Sequence, residues 1–347
     1  MKIAHFVNYG PHQAGMYETT REICEAECKA GHDAFLVDTS FVSTGSHPRS
    51  TFTRDRGVDI APPGVAKGAD LHCLHNIIPS DLYGDAPIAM FLHGNPEYSF
   101  YSEVNLGDRS FSTLLGYDKD EKIKQFITLW DRHTSIWESC LSTPISYVPS
   151  CANMDVFTPE GPKYEFTNGG DINIGFCDSW RPSCFKDPFK VIPGVIEFAK
   201  MHPDKKVKLH LFACPSEKKR DKCWDNYLMA VKRNHEIIGD IVNLVEDFAQ
   251  MYRSLDLVVS PAWEENRVFR EAMACGVPVV TGSGCSYSEY QADYMHPNKV
   301  ADSIHFCVGD LGPELSARCR DYALSQFTPE KTIEALIPIF NSLTKST

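Results

Sequence analysis

The chain has 347 residues, 43% of them hydrophobic and 23% charged, proportions that exclude a disordered, collagen-like or coiled-coil chain and suit two domains of about 150 residues. Its 34 basic and 46 acidic residues give a net charge of −12, and both halves are acidic, so neither is the basic platform that tight binding of nucleic acid or anionic lipid requires. No run reaches the roughly 18 apolar residues of a membrane helix, which makes the cytosol the expected compartment, and thirteen cysteines scattered singly read as thiols rather than as a disulfide framework.

Short apolar runs alternate with amphipathic stretches, the pattern of β-α-β units around a parallel sheet. In the first half, strands are expected at 3–7, 34–37, 71–74, 88–92 and 145–148. A helix over 16–29 presents Met16, Ile23, Ala26 and Ala30 on one face and stops at Gly31. The segment 149–171, rich in Pro, Gly, Asn and Asp, reads as a linker. The alternation then restarts with strands at 172–176, 208–212, 241–244, 255–259 and 277–280. Helices are expected at 187–200, 224–235, 248–254 and 268–274. At the end, Thr328-Pro329-Glu330 offers a capping hydroxyl, a proline suited to the first helical turn and an acid that favours a helix N-terminus, and Ile333, Leu336, Ile337 and Phe340 follow at helical spacing.

Metal-binding spacings are weak. Cys24 and Cys28 have helical i, i+4 spacing with no second ligand pair, and His72, Cys73 and His75 share a strand whose alternation sends neighbours to opposite faces. No metal site is expected.

Four segments have the composition of ligand loops. Gly10 to Gly15 joins a strand to a helix, where glycine lets backbone approach a ligand and the helix N-terminus offers N–H groups to an anion; Met16 and Tyr17 stand where a P-loop needs Lys and Ser or Thr. His93-Gly94 follows an apolar strand, the edge at which open α/β sheets bind ligands. Arg181 and Lys186 follow the strand at 172–176 and are suited to holding two phosphates, one as a fork of donors and one as a point charge. The fourth runs from Ser260 through Glu264, Glu265 and Arg267 to Glu271 and Gly276, followed by the hydroxyl-rich loop Thr281 to Ser286. Neither half opens with the glycine fingerprint of a nicotinamide dehydrogenase.

In order and separation, these pieces resemble the retaining glycosyltransferases of the GT-B fold, in particular glycosyltransferase family 4. The likeness spans nearly the whole chain and includes the stretch from Tyr147-Val148-Pro149 to Phe157-Thr158-Pro159 and Glu271-Ala-Met-Ala-Cys-Gly-Val-Pro-Val. It implies an α/β protein of two Rossmann-like, doubly wound domains facing a cleft. The acceptor-side domain would span 1–160 with a C-terminal helix, 329–347, crossing back to it, and the nucleotide-sugar domain 171–328. The implied activity is transfer of a sugar from a nucleotide-diphosphate sugar to a hydroxyl acceptor, a saccharide or small molecule, with retention of anomeric configuration and no metal or other cofactor. Arg181 and Lys186 would neutralise the diphosphate, Glu271 would accept hydrogen bonds from the ribose, Gly15 would approach the phosphate, and His93 would sit near the transferred sugar. The loop Gly284, Cys285 and Ser286 completes the donor set. In the family, seven residues separate the two acids; here that place holds Trp263, and the shortened spacing assigns the sugar-contacting role to Glu264. Nucleotide-sugar epimerisation, or binding of a nucleotide or glycan without turnover, are the alternative readings of the same fold. The surfaces at 41–69 and 98–116 are the expected acceptor side.

Overall fold

The computed structural model describes residues 1–8, 15–39, 53–75, 84–93, 111–178, 187–213, 226, 229, 233–234, 236–263, 265–310 and 312–345. The chain divides into two compact units, Met1–Cys151 with Gln326–Thr347, and Ala152–Ser325. Residues 152–160, expected with the first unit, pack with the second. The Arg253 guanidinium donates to the carbonyls of Val156, Thr158 and Pro162, and Arg320 donates to that of Phe157. Two arginines of the second unit thus satisfy backbone acceptors of a segment that has no regular secondary structure.

The first unit is built on β1 (Lys2–Val7), α1 (Gly15–Lys29), β2 (Asp33–Asp38), β3 (Thr53–Asp55), β4 (Val58–Ala61), β5 (Leu71–Leu74), β6 (Ile88–Leu92), α2 (Phe111–Asp118), β7 (Ile123–Thr128), α3 (Asp131–Glu138) and β8 (Ile145–Tyr147). Its sheet has the order β3-β4-β2-β1-β5-β6-β7-β8, parallel except for the β3–β4 hairpin. The chain moves outward from β1 to one side and then, from β5, to the other. The topological switch point, where open α/β sheets bind ligands, therefore lies between β1 and β5. Strands β3, β4 and β7 and helices α2 and α3 are additions to the sequence reading. The hairpin and the short 3-10 turn Pro63–Gly68 lie in the stretch 41–69, and α2 overlaps 98–116; residues 41–52 and 98–110 lie outside the described residues.

Strand alternation sorts this unit into two cores. Ile3, Val7, Leu71, Cys73, Ala89 and Phe91 face α1, through Tyr17 and Ile23, and the closing helix, through Leu336 and Phe340. Phe6, Leu74, Ile88, Met90 and Leu92 face the opposite way, with Phe126 and Trp137. Ile23 and Ala26 of α1 are buried while Ala30, just past its end, is exposed, and Gly31 follows at φ 88°, a conformation that favours glycine.

The second unit contains β9 (Ile172–Phe176), α4 (Ile192–Met201), β10 (Val207–Leu211), β11 (Ile238–Ile241), α5 (Phe248–Arg253), β12 (Leu257–Val259), α6 (Arg267–Ala274), β13 (Val279–Gly282), β14 (Gln291–Ala292), α7 (Pro297–His305) and α8 (Gly312–Gln326). Among the described residues its strands are all parallel, in the order β11-β10-β9-β12-β13-β14, so the switch point lies between β9 and β12. Strand β11 corrects the expectation at 241–244. Ile241 and Leu244 are exposed, whereas Gly239 sits in the strand where a Cβ would lie 2.5 Å from the His210 ring. The helix expected at 187–200 begins instead as a 3-10 turn, Pro188–Lys190, capped by Asp187, whose carboxylate accepts from the Phe189 amide at 2.9 Å, with α4 following. Of the helix expected at 224–235, only a few residues are described.

The last helix, α9 (Pro329–Thr344), starts as its sequence indicates, with the Thr328 hydroxyl accepting from the Lys331 amide and Pro329 in the first turn. It belongs to the first unit. Thr332 Oγ1 donates to the Pro149 carbonyl at 2.7 Å, and Leu336 and Phe340 have no exposed surface. Burying a phenylalanine side chain contributes about 2–3 kcal/mol, which makes α9 a structural part of that core rather than an appendage.

Candidate functional site

In the second unit the switch point is closed by polar groups. Asp178 follows β9 and is 2% exposed; its Oδ2 accepts from Ser260 Oγ, at the end of β12, and its Oδ1 accepts from Asn266 Nδ2 at 3.1 Å. Asn266 is also the cap of α6, its Oδ1 accepting from the Phe269 amide at 3.2 Å. One buried carboxylate therefore ties the ends of two adjacent strands to the N-terminus of the helix that carries Glu271. A buried acid of this kind is stable only with such partners. The sequence reading passed over it because Asp178 lies 82 residues from Ser260 and 88 from Asn266.

Glu271 is buried on α6, its Oε2 accepting from the Tyr252 hydroxyl of α5 at 3.1 Å and its Oε1 from Arg267 Nε one helical turn earlier. Burial, reinforced by the Glu271 charge, pushes the Tyr252 phenol well above its usual range, so it remains a donor. Burial likewise raises the neighbouring Cys177 thiol. The carboxylate is thus already held by two donors, one of them the side chain of the residue that opens the helix.

The loop after β13 brings three of the expected donor residues together. Gly284 has φ 96°, a conformation that favours glycine, and its amide donates to Gln291 Oε1 at 2.7 Å. Cys285 is fully buried, and its carbonyl accepts from Gln291 Nε2 at 2.6 Å. Ser286 Oγ donates to Glu265 Oε1, and Glu265 is 1% exposed, with Arg270 Nη1 donating to its carbonyl at 3.2 Å. The buried acid on this stretch that reaches the Gly284–Ser286 loop is therefore Glu265. Glu264, the expected sugar-contacting acid, lies outside the described residues, as do Arg181 and Lys186.

In the first unit, Gly15 is the exposed first residue of α1, with open space where a Cβ would be; the rest of its loop lies outside the described residues. His93, half-buried at the end of β6, donates or accepts at 2.7 Å between its Nε2 and His75 Nδ1. His75 Nε2 lies 2.9 Å from His5 Nδ1, and His5 Nε2 lies 2.6 Å from Glu27 Oε2. Burial, with His93 and His5 beside it, holds the His75 ring well below the usual imidazole range and therefore neutral. His72 points the other way, its Nε2 2.9 Å from the Ala66 carbonyl and its ring edge-on to Phe6, so His72 and His75 lie on opposite faces as alternation dictates. The expectation singled out His93 but not its link to His75, nor the links of His75 to His5 and of His5 to Glu27.

Among the described residues no group of three or more His, Cys, Asp or Glu side chains is arranged to hold an ion, and no helix is long and apolar enough to cross a membrane.

The family described as glycosyl transferases group 1 matches residues 192–307, most of the second unit. Solved structures match the full chain. Sucrose-phosphate synthase from Thermosynechococcus elongatus is similar with a TM-score of 0.70 at 14% identity, covering 100% of both chains. HepE of Anabaena, solved with UDP and glucose, gives 0.70 at 13% identity over 99% of this chain and 100% of that one. A glycosyltransferase from Rickettsia africae gives 0.62 at 12%, covering 100% and 99%. No curated protein sequence matches the chain. These likenesses show the GT-B fold, with two parallel-sheet Rossmann-like domains, and a resemblance to the group 1 glycosyltransferases.

Proposed function

We propose that this chain is a glycosyltransferase that moves a sugar from a nucleotide-diphosphate sugar to a hydroxyl acceptor, with retention of configuration and without a metal ion. The observation that carries the reading is the second unit's switch point. The stretch matched to the group 1 glycosyltransferases includes Glu271, Glu265 and the Gly284–Ser286 loop, gathered beyond the strand ends where open α/β sheets take nucleotides. Arg181 and Lys186, on the segment that leaves β9 just after Asp178, would meet the diphosphate, and Glu264 the sugar. Departure of a nucleoside diphosphate develops negative charge, which fixed cations and helix N-termini stabilise in place of a metal.

Glu271 would serve the ribose by exchanging its Arg267 partner for a hydroxyl donor, the Tyr252 bond keeping the carboxylate in place. HepE was solved with UDP, which makes uridine the first base to try. The test is thermal unfolding with UDP, GDP, ADP, CDP and dTDP, without metal and then with magnesium. A ligand at about 100 times its Kd adds roughly 2.7 kcal/mol, so one base should raise Tm without metal, and Glu271→Ala and Arg181→Ala should abolish the rise. No shift with any base removes the donor reading.

The pairing of Glu271 with Arg267 also favours a second reading, a protein that binds a nucleotide without turning it over. A base-specific shift accompanied by neither transfer nor slow donor hydrolysis would select it.

A further inference from the structure

One arginine of the second unit has no acid to answer it. Arg270 lies on α6 and is 3% exposed, and its helical neighbours three and four residues away are Asn266, Arg267, Met273 and Ala274, none of them acidic. The buried acids around this helix are engaged elsewhere. Tyr252 and Arg267 donate to Glu271, Ser286 donates to Glu265, and Ser260 and Asn266 donate to Asp178. Among the described residues Arg270 makes no ion pair and a single hydrogen bond, from Nη1 to the Glu265 carbonyl at 3.2 Å. Its Nε is buried with no hydrogen-bond partner.

A guanidinium keeps its charge in a protein, and a buried charge without a counter-charge is costly. Arg267, one turn earlier on the same helix, shows the ordinary solution, a carboxylate at i+4. Arg270 has none, so the fold carries a buried positive charge that only a ligand can answer.

The direction of that charge follows from which nitrogen is spent. Nη1 is the nitrogen cis to Cδ, so its bond to the carbonyl leaves Nε and Nη2, whose N–H groups point the same way and form the side-on fork that fits a carboxylate. The side chain reaches back past the Asn266 cap to the residue before it, which sets the guanidinium at the N-terminal end of α6, where the helix also favours an anion. This is the end away from Glu271. Glu265, whose carbonyl Arg270 grips, reaches Ser286 and directly follows Glu264, the acid expected at the sugar. The two negative charges of a diphosphate already have Arg181 and Lys186 assigned to them, and Arg270 is a third cation.

We propose that Arg270 is a specificity residue for an acidic donor sugar: the group transferred carries a carboxylate, as a hexuronic acid does, and the fork of Nε and Nη2 receives it. This rests on the glycosyl-transfer reading of the same site. A neutral sugar leaves the guanidinium unanswered, and a site that presents a buried polar group discriminates strongly against the ligand that lacks its partner.

The experiment is titration calorimetry of the full chain with pairs of donors that differ at the sugar carboxylate, on the base that the nucleotide screen selects. For uridine the pair is UDP-glucose and UDP-glucuronate, with UDP alone as reference. The uronate should bind about tenfold tighter or more than the neutral sugar. Arg270→Met should erase that preference and leave the affinity for the bare nucleotide unchanged. Arg270→Lys, which keeps the charge without the fork, should retain part of the preference. Equal binding of the two sugars, or a preference that survives Arg270→Met, overturns the assignment. So does loss of bare-nucleotide binding in Arg270→Met, which would put the guanidinium on the diphosphate. Without ligand, Arg270→Met should melt at or above the temperature of the unaltered protein; a lower melting point marks an arginine already satisfied and overturns the unanswered charge. The two readings fail separately. Binding of a nucleotide without preference for the uronate removes the acidic sugar alone, whereas binding of no nucleotide removes the donor reading and the acidic sugar with it.

Discussion

The Tyr252 hydroxyl donates to Oε2 of Glu271 from a ring with no exposed surface, so this buried acid is anchored from α5 rather than from its own helix alone. Removing only that hydroxyl leaves a buried carboxylate one donor short, a loss worth about 1–3 kcal/mol. Tyr252→Phe should therefore lower stability by that amount in urea unfolding while keeping the packing of the ring. It should also weaken nucleotide binding less than Glu271→Ala does, measured by titration calorimetry. Equal losses in the two variants would place Tyr252 in contact with the ligand.

Asp178 should behave as a structural clasp. Asp178→Ala strips partners from Ser260 and Asn266 at once, both buried, and the expected cost is about 2–4 kcal/mol by chemical denaturation. Because Asn266 caps α6, hydrogen exchange of the α6 amides should accelerate more than that of β10. A cost below about 0.5 kcal/mol contradicts the clasp.

Acid should loosen the second unit through His210. Burial lowers this imidazole to about 4, and its Nδ1 accepts from the Asp240 amide at 3.0 Å while Nε2 lies 3.0 Å from Asn173 Oδ1. A folded-state value below the unfolded one means the unfolded chain binds more protons, so this contribution is intact above about pH 6.5 and is lost as pH falls toward 4. The slope approaches about 1.4 kcal/mol per pH unit within that window. His210→Gln should flatten the fall in the urea midpoint between pH 6.5 and 4.5.

Cys28 should be modified early among the described cysteines. A side-chain hydrogen bond with Cys24 lowers its thiol to about 7, against the opposing effect of partial burial, and the residue is exposed. Brief iodoacetamide treatment at pH 7.5, read by peptide mass spectrometry, should label Cys28 well ahead of Cys24, Cys73 and Cys177, all buried with raised thiols.

How much of this was legible depended on the distance over which each interaction acts. The cap of α9 is written in three adjacent residues, Thr328-Pro329-Glu330, and the apolar strands β1, β5, β6 and β9 in runs of four to six; local chemistry alone is enough for both. Strand β7 was missed because Lys124 and Gln125 interrupt its apolar pattern. Gln125 is tolerated in the sheet only because its amide finds the Pro144 carbonyl and Ser146 Oγ of the neighbouring strand region. The row of Glu27, His5, His75 and His93 could not be read at all. Its links join residues 22, 70 and 18 positions apart, and only strand order brings them into contact. Among the expected residues, His93 and the Gly284 loop were singled out from their place after strands, whereas the bond of Glu265 to Ser286 joins two loops 21 residues apart and is written in neither.

The first unit is assembled from two pieces of chain with the whole second unit between them, and α9 is synthesised after both. On the ribosome, the face of β1 and α1 bearing Ile3, Val7 and Ile23 must therefore wait uncovered while the second unit emerges and folds, and only then receives Leu336 and Phe340. The order of birth makes the second unit the one able to finish by itself. It makes the first a late closure, the stage at which a chaperone would have most to hold.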